Sequence, residues 1–229
     1  MSMRQSKPNC ISVILVTLIT VCMGACGSVS ELKDSKKDWN SGDYAAIAAQ
    51  DIRCKPSEEG CNQLYLLKGD ACFRLAKLGR EPQKHYQCAA VNLSAGIQAT
   101  QQWQMTNFNL NRPQTFENLC EARRSWRDLE SGTTAEAINR QLLAGAEAFL
   151  AAEPGNLAAI YFLNNARYAA LQSCLVHTEA CPSLCQDLTA IGRSLQEAVP
   201  RAQGSNYEAN FRELSKEISK EQTMLSGCQ

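Results

Sequence analysis

The sequence predicts an all-α protein of about eight antiparallel helices, and three observations predict it. From Trp39 onward, apolar residues recur at three- and four-residue spacing. Helix-start signals interrupt these stripes at intervals. Neither an alternating apolar–polar run nor an Asn-Gly or Asp-Gly hairpin turn is present.

The elements follow in order. Breaks fall near Lys55 to Gly60, Gly79 to Pro82, Thr106 to Pro113, Ser131-Gly132, Pro154-Gly155, Thr178 to Pro182 and Pro200 to Gly204. They divide the chain into expected helices at 43–53, 61–78, 82–102, 114–130, 134–152, 157–175, 183–199 and 205–226. Leu64, Leu67, Ala71, Leu75 and Leu78 stripe the second, and Leu142, Leu143, Ala146, Phe149 and Leu150 the fifth. Ile160, Leu163, Ala166, Ala170 and Leu171 stripe the sixth. Pro82 suits a first helical turn, and Thr133-x-x-Glu136, Ser183-x-x-Gln186 and Ser205-x-x-Glu208 read as capping boxes. Short linkers predict that successive helices pack as hairpins.

Composition narrows the function classes. The 229 residues carry 23 Lys+Arg and 23 Asp+Glu, so no basic surplus exists for binding nucleic acid. Two histidines, His85 and His177, leave little room for histidine-based catalysis. Twelve cysteines exceed what a reducing compartment favours.

The N-terminus supplies an address. Arg4 and Lys7 precede an apolar stretch from Ile11 to Val21, too short to span a bilayer but suited to a signal peptide. It ends in Met23-Gly24-Ala25-Cys26, which resembles the lipobox of bacterial lipoproteins, with Met23 where Leu is usual. The resemblance implies cleavage after residue 25 and a lipid anchor on Cys26. Gly27 in the next position, rather than Asp, implies the outer membrane of a Gram-negative envelope, on its periplasmic face. Gly27 to Asp38 is small, polar and charged, like a tether. The expected organisation is a signal peptide at 1–25, a tether at 26–38 and a helical domain at 39–229.

A second resemblance concerns the domain. Ser41-Gly42-Asp43-Tyr44, followed by Ala45, Ala46 and Ile47, is similar to the turn and second-helix start of a tetratricopeptide repeat. Ala152-Glu153-Pro154-Gly155-Asn156 resembles a junction between repeats, and Tyr65 and Gly69 echo another unit. The resemblance implies a superhelix of stacked hairpins whose concave groove takes a partner. It makes Tyr161, Asn164, Asn165 and Tyr168 the groove candidates; at heptad spacing the two tyrosines also fit a core.

Nine cysteines remain once Cys10 and Cys22 leave with the signal and Cys26 takes lipid. Cys72 and Cys88 lie equally far on either side of Arg80, so one antiparallel hairpin would bring them level. Cys54 and Cys61 bracket one expected turn, and Cys174 and Cys181 another. Cys185 and Cys228 stand at helix ends that can meet, which leaves Cys120 as a free thiol. The alternative for one cluster is metal, because Cys174, His177, Cys181 and Cys185 are four ligands at compact spacing.

No nucleophile elbow, zinc-protease motif, Walker loop, dinucleotide fingerprint or C-x-x-C pair is present, so no enzyme and no cofactor are expected. Arg123, Arg124, Trp126 and Arg127 form a basic, aromatic stretch that fits either a headgroup or acidic-partner surface, or a solvated helix face. The expectation is a membrane-anchored adaptor that binds a protein partner in the cell envelope, in secretion- or pilus-type assembly. Ligand handling beside a solute transporter and a purely structural envelope role stay open.

Overall fold

The computed structural model describes residues 30–99, 110–176 and 181–225. Those residues are all-helical with no β-strand, as the apolar spacing predicts, but they form ten helices rather than eight, because 30–41 is a helix and the expected 157–175 divides in two at Leu171. Helix α1 covers 30–41. It is followed by α2 (Tyr44–Ala49), α3 (Cys61–Lys77), α4 (Pro82–Gln98), α5 (Arg112–Asp128) and α6 (Gly132–Ala152). The chain closes with α7 (Leu157–Ala170), α8 (Gln172–Val176), α9 (Leu184–Ala202) and α10 (Glu208–Met224).

Several boundaries differ from expectation for local reasons. Residues 30–38 lie in the stretch whose composition suggests a tether, yet they are helical. Leu32 and Trp39 sit two turns apart and pack on the core, while the Ser35 hydroxyl bonds Gln50 at 2.8 Å. Pro113 falls inside the first turn of α5, because Asn111 caps that helix by accepting from the Gln114 N–H at 2.8 Å. Pro200 lies within α9, where only the last turn loses a donor.

The three expected capping boxes do not form as written. Helix α6 starts at Gly132 behind Ser131, one turn before Glu136. Ser183 bonds the Asp187 carboxylate instead of an amide. The Ser205 hydroxyl donates to the Ala202 carbonyl, and α10 begins at Glu208.

From α2 onward each helix packs mainly on a neighbour in chain order; α5 additionally touches α3 and α7, and α7 touches α9 and α10. Two apolar clusters result. One joins α2 to α5 through Ile47, Leu66, Leu67, Leu93 and Leu119. The other centres on α7, with Phe116 stacked on Phe149 at 5.3 Å and Phe162 and Phe211 fully buried. Ile97 packs against both. Among the described residues no helix is long and apolar enough to cross a membrane.

Helices α3 and α4 approach closely because glycines face the partner helix. A Cβ on Gly69 would lie 2.7 Å from Leu93 Cγ and 2.8 Å from its backbone nitrogen. A Cβ on Gly96 would lie 2.6 Å from Leu66 Cγ. Gly69→Ala should therefore destabilise by about 1–3 kcal/mol through overpacking, despite alanine's better helix propensity. Urea denaturation reads it as a lower midpoint at an unchanged slope.

Candidate functional site

The structure pairs three sets of cysteines as their spacing suggests. Cys54 and Cys61, Cys72 and Cys88, and Cys174 and Cys181 are disulfide-bonded, with Cα atoms 6.1, 5.9 and 5.6 Å apart. Cys185 is disulfide-bonded too, and its expected partner Cys228 lies outside the described residues. As disulfides, Cys174, Cys181 and Cys185 have no thiolate to offer a metal, which removes three of the four ligands of the zinc alternative. Its fourth, His177, lies outside the described residues, as does Cys26. Cys54, Glu58 and Cys61 cluster within 4.8 Å, but there too the sulfurs are joined.

Among the described residues, Cys120 is the free thiol, and it is buried. Burial pushes it up to about 12, Arg123 opposes that rise, and Glu117 and Glu121 add to it. Such a thiol is protonated and inert. Iodoacetamide at pH 8 should leave Cys120 unlabelled in the folded chain and label it in urea, read by peptide mass spectrometry.

The groove expected on α7 is not a surface. Tyr161 is 6% exposed and Asn164 fully buried. Tyr161 meets the rings of Phe162, Tyr207 and Phe211 at 5.3, 5.6 and 5.9 Å. Asn164 donates to Ser194 on α9 at 3.0 Å. Tyr168 packs against the same core, and the Asn165 Oδ1 is buried. The physical reason is placement: α6, α9, α5 and α10 all pack on α7, so Tyr161 is a core residue and Tyr168 lies half-buried at the edge of the same cluster.

The basic stretch on α5 is also turned inward. Arg123 is 8% exposed, donating to the Gln141 carbonyl at 2.9 Å and to Ser94 at 3.1 Å. Burial lowers its affinity for its proton, partly offset by Cys120. Arg124 pairs with Glu121 and Asp128, Arg127 with Asp128 and Asn139, and the Trp126 N–H with Glu130. Arg123 and Arg127 thus join α5 to its neighbours, while Arg124 is paired within α5.

A cleft that sequence reasoning missed lies where α2, α3 and α5 converge. It has a volume of about 510 Å³ and is lined by Tyr44, Phe73, Arg74, Lys77, Leu78 and Leu110, among others. At its base Asp70 is 1% exposed, on a helix face otherwise made of Leu64, Leu67 and Ala71. A buried carboxylate needs partners, and Asp70 accepts from Arg74 Nε at 2.7 Å, Trp39 Nε1 at 3.1 Å and Asn118 Nδ2 at 3.3 Å. The three donors come from α3, α1 and α5. The Arg74 guanidinium carbon lies 4.9 Å from the Trp39 ring centre and 5.2 Å from that of Tyr44. Burial alone would lower the Arg74 pKa, but the hydrogen bond and charge of Asp70 together with Tyr44 outweigh it and hold the group above its ordinary value. The Arg74 side chain remains 40% exposed, so a cation of fixed orientation borders the cleft.

Leu78 is 67% exposed beside it. On the other side of α3, a second open cleft of about 640 Å³ has walls from Ala45, Ala48 and Val91 and a rim from Lys68, Arg80 and Lys84. The only sequence signal for the first cleft is an Asp–Arg pair four residues apart, which ordinarily marks a solvated helix face. No family model, curated protein or solved structure matches this chain.

Proposed function

We propose that the protein is a non-catalytic adaptor of the bacterial envelope, exported, lipid-anchored through Cys26 on the periplasmic face of the outer membrane, and engaging a protein partner. The observation that carries the binding role is the cleft bordered by Arg74, with an aligned cation and an exposed Leu78 side by side. That combination suits a polypeptide surface better than an enclosed small-molecule chamber. Three closed cysteine pairs among the described residues suit an oxidising compartment. Packing of helices in chain order, with α3, α5 and α7 touching in succession, supports the tetratricopeptide-like stack.

Crosslinking in native envelopes followed by mass spectrometry tests the adaptor role. One stoichiometric protein partner is the expected result, and its repeated absence would shift the reading to ligand handling. For the anchor, Cys26→Ala should move the protein from the membrane to the soluble fraction, because the acyl chains supply its attachment. Unchanged membrane association would sink the lipoprotein reading.

A further inference from the structure

The Arg74 cleft has a chemistry that selects its occupant. Asp70 spends its oxygens inward on Trp39, Arg74 and Asn118, so it offers the cleft no free acceptor. Arg74 is engaged by Asp70 and Tyr44, while a guanidinium carries five N–H donors. The donors left over form part of a planar fork, whose natural counterpart is a carboxylate. Lys77 adds a second cation, 56% exposed and only loosely opposed by Glu121 at 3.9 Å. Phe73 and the exposed Leu78 supply apolar area directly alongside.

Resting on the adaptor reading, we propose that this cleft takes an acidic segment of the partner polypeptide. An Asp or Glu carboxylate seats on the guanidinium of Arg74 beside Lys77. A neighbouring apolar side chain of the same segment covers Leu78 and Phe73. Aromatic rings and Asp70 hold the guanidinium in place before the ligand arrives, so little side-chain freedom remains to be lost on binding.

The test uses the full chain labelled with 15N at tryptophan, because the Trp39 indole N–H bonds Asp70 and reports on the cleft. Trp39→Phe identifies its resonance. The probes are a short blocked peptide alternating Glu and Leu and its Gln/Leu counterpart. The Glu peptide should shift the Trp39 signal saturably, and the Gln peptide should bind at least about tenfold more weakly, the worth of a charge-assisted hydrogen bond. Arg74→Gln should cost a similar factor, Leu78→Ser a smaller one, and Lys84→Gln in the neighbouring cleft nothing.

Equal binding of the two peptides, or no Trp39 shift at millimolar peptide, overturns the proposal. So does a loss that follows Lys84→Gln rather than Arg74→Gln. Should Arg74→Gln disturb the fold by circular dichroism, the peptide pair on the unaltered chain still decides, and Arg74→Lys should give an intermediate loss. A crosslinked envelope partner recovered alongside a negative peptide result would leave the adaptor standing and remove only this site.

Discussion

Asp70→Ala is expected to lower the unfolding free energy by about 2–3 kcal/mol and to unseat Arg74 together with it. The substitution deletes one acceptor but strands three donors, on Trp39, Arg74 and Asn118. Breaking a buried ion pair from one side costs about 3–5 kcal/mol. Arg74 keeps 40% of its side chain in solvent and can rehydrate, which places this case below that range. The Trp39 N–H and Asn118 amide are the costlier orphans, since they lie between α1, α3 and α5. Urea denaturation measures the loss, and the Trp39 indole resonance should move even where the fold is retained. A change under about 0.5 kcal/mol, the range of an ordinary surface substitution, would show that the network has no structural weight.

The second large effect is on the α3–α4 hairpin. Replacing Cys72 and Cys88 together by Ala should cost about 3 kcal/mol, the loop-entropy value for a crosslink of about fifteen residues. For a domain of this size that corresponds to a fall in Tm of roughly 6–12 °C. The two residues are 16 apart in sequence, and Cys72 is fully buried in the α2–α5 cluster. Alanine leaves no buried hydroxyl, so the measured change reports the missing bond and a lost sulfur's packing rather than an unpaired donor. Calorimetry on the double variant reads it. An unchanged Tm would mean that the glycine-mediated approach of Gly69 to Leu93 and Gly96 to Leu66 already holds the hairpin without help.

The hairpin shows how far sequence reasoning reaches. Equal spacing of Cys72 and Cys88 about Arg80 is a one-dimensional measure of their separation, and an antiparallel hairpin converts it into proximity. The short C-x6-C loops at Cys54–Cys61 and Cys174–Cys181 work in the same way. Cys120 was identifiable by elimination, and its burial follows from a stripe position on α5.

Helix ends were less legible. Ser183 and Ser205 have the residue types of caps, but the same hydroxyls bond a carboxylate or a carbonyl once the chain is packed, and Thr133 falls inside α6 rather than at its start. Helix α1 escaped because its polar composition hides a stripe of only Leu32, Ser35 and Trp39, completed by packing against residues far along the chain.

The candidate site was the least legible part. Tyr161 and Asn164 carried the residue types of a ligand groove, and chain packing buried them from several sides. Asp70 and Arg74 look like any exposed i,i+4 pair. What distinguishes them is that α1 brings Trp39 and α5 brings Asn118 from 31 and 48 residues away.

By itself, then, the sequence determined the helical class, the hairpin pairing of cysteines and the spare thiol, because each depends on spacing along one or two adjacent helices. The tertiary structure alone decided which polar groups are interior and which border a cleft. Burial of a carboxylate is set by every element that closes over it, and no local pattern records where distant helices come to rest.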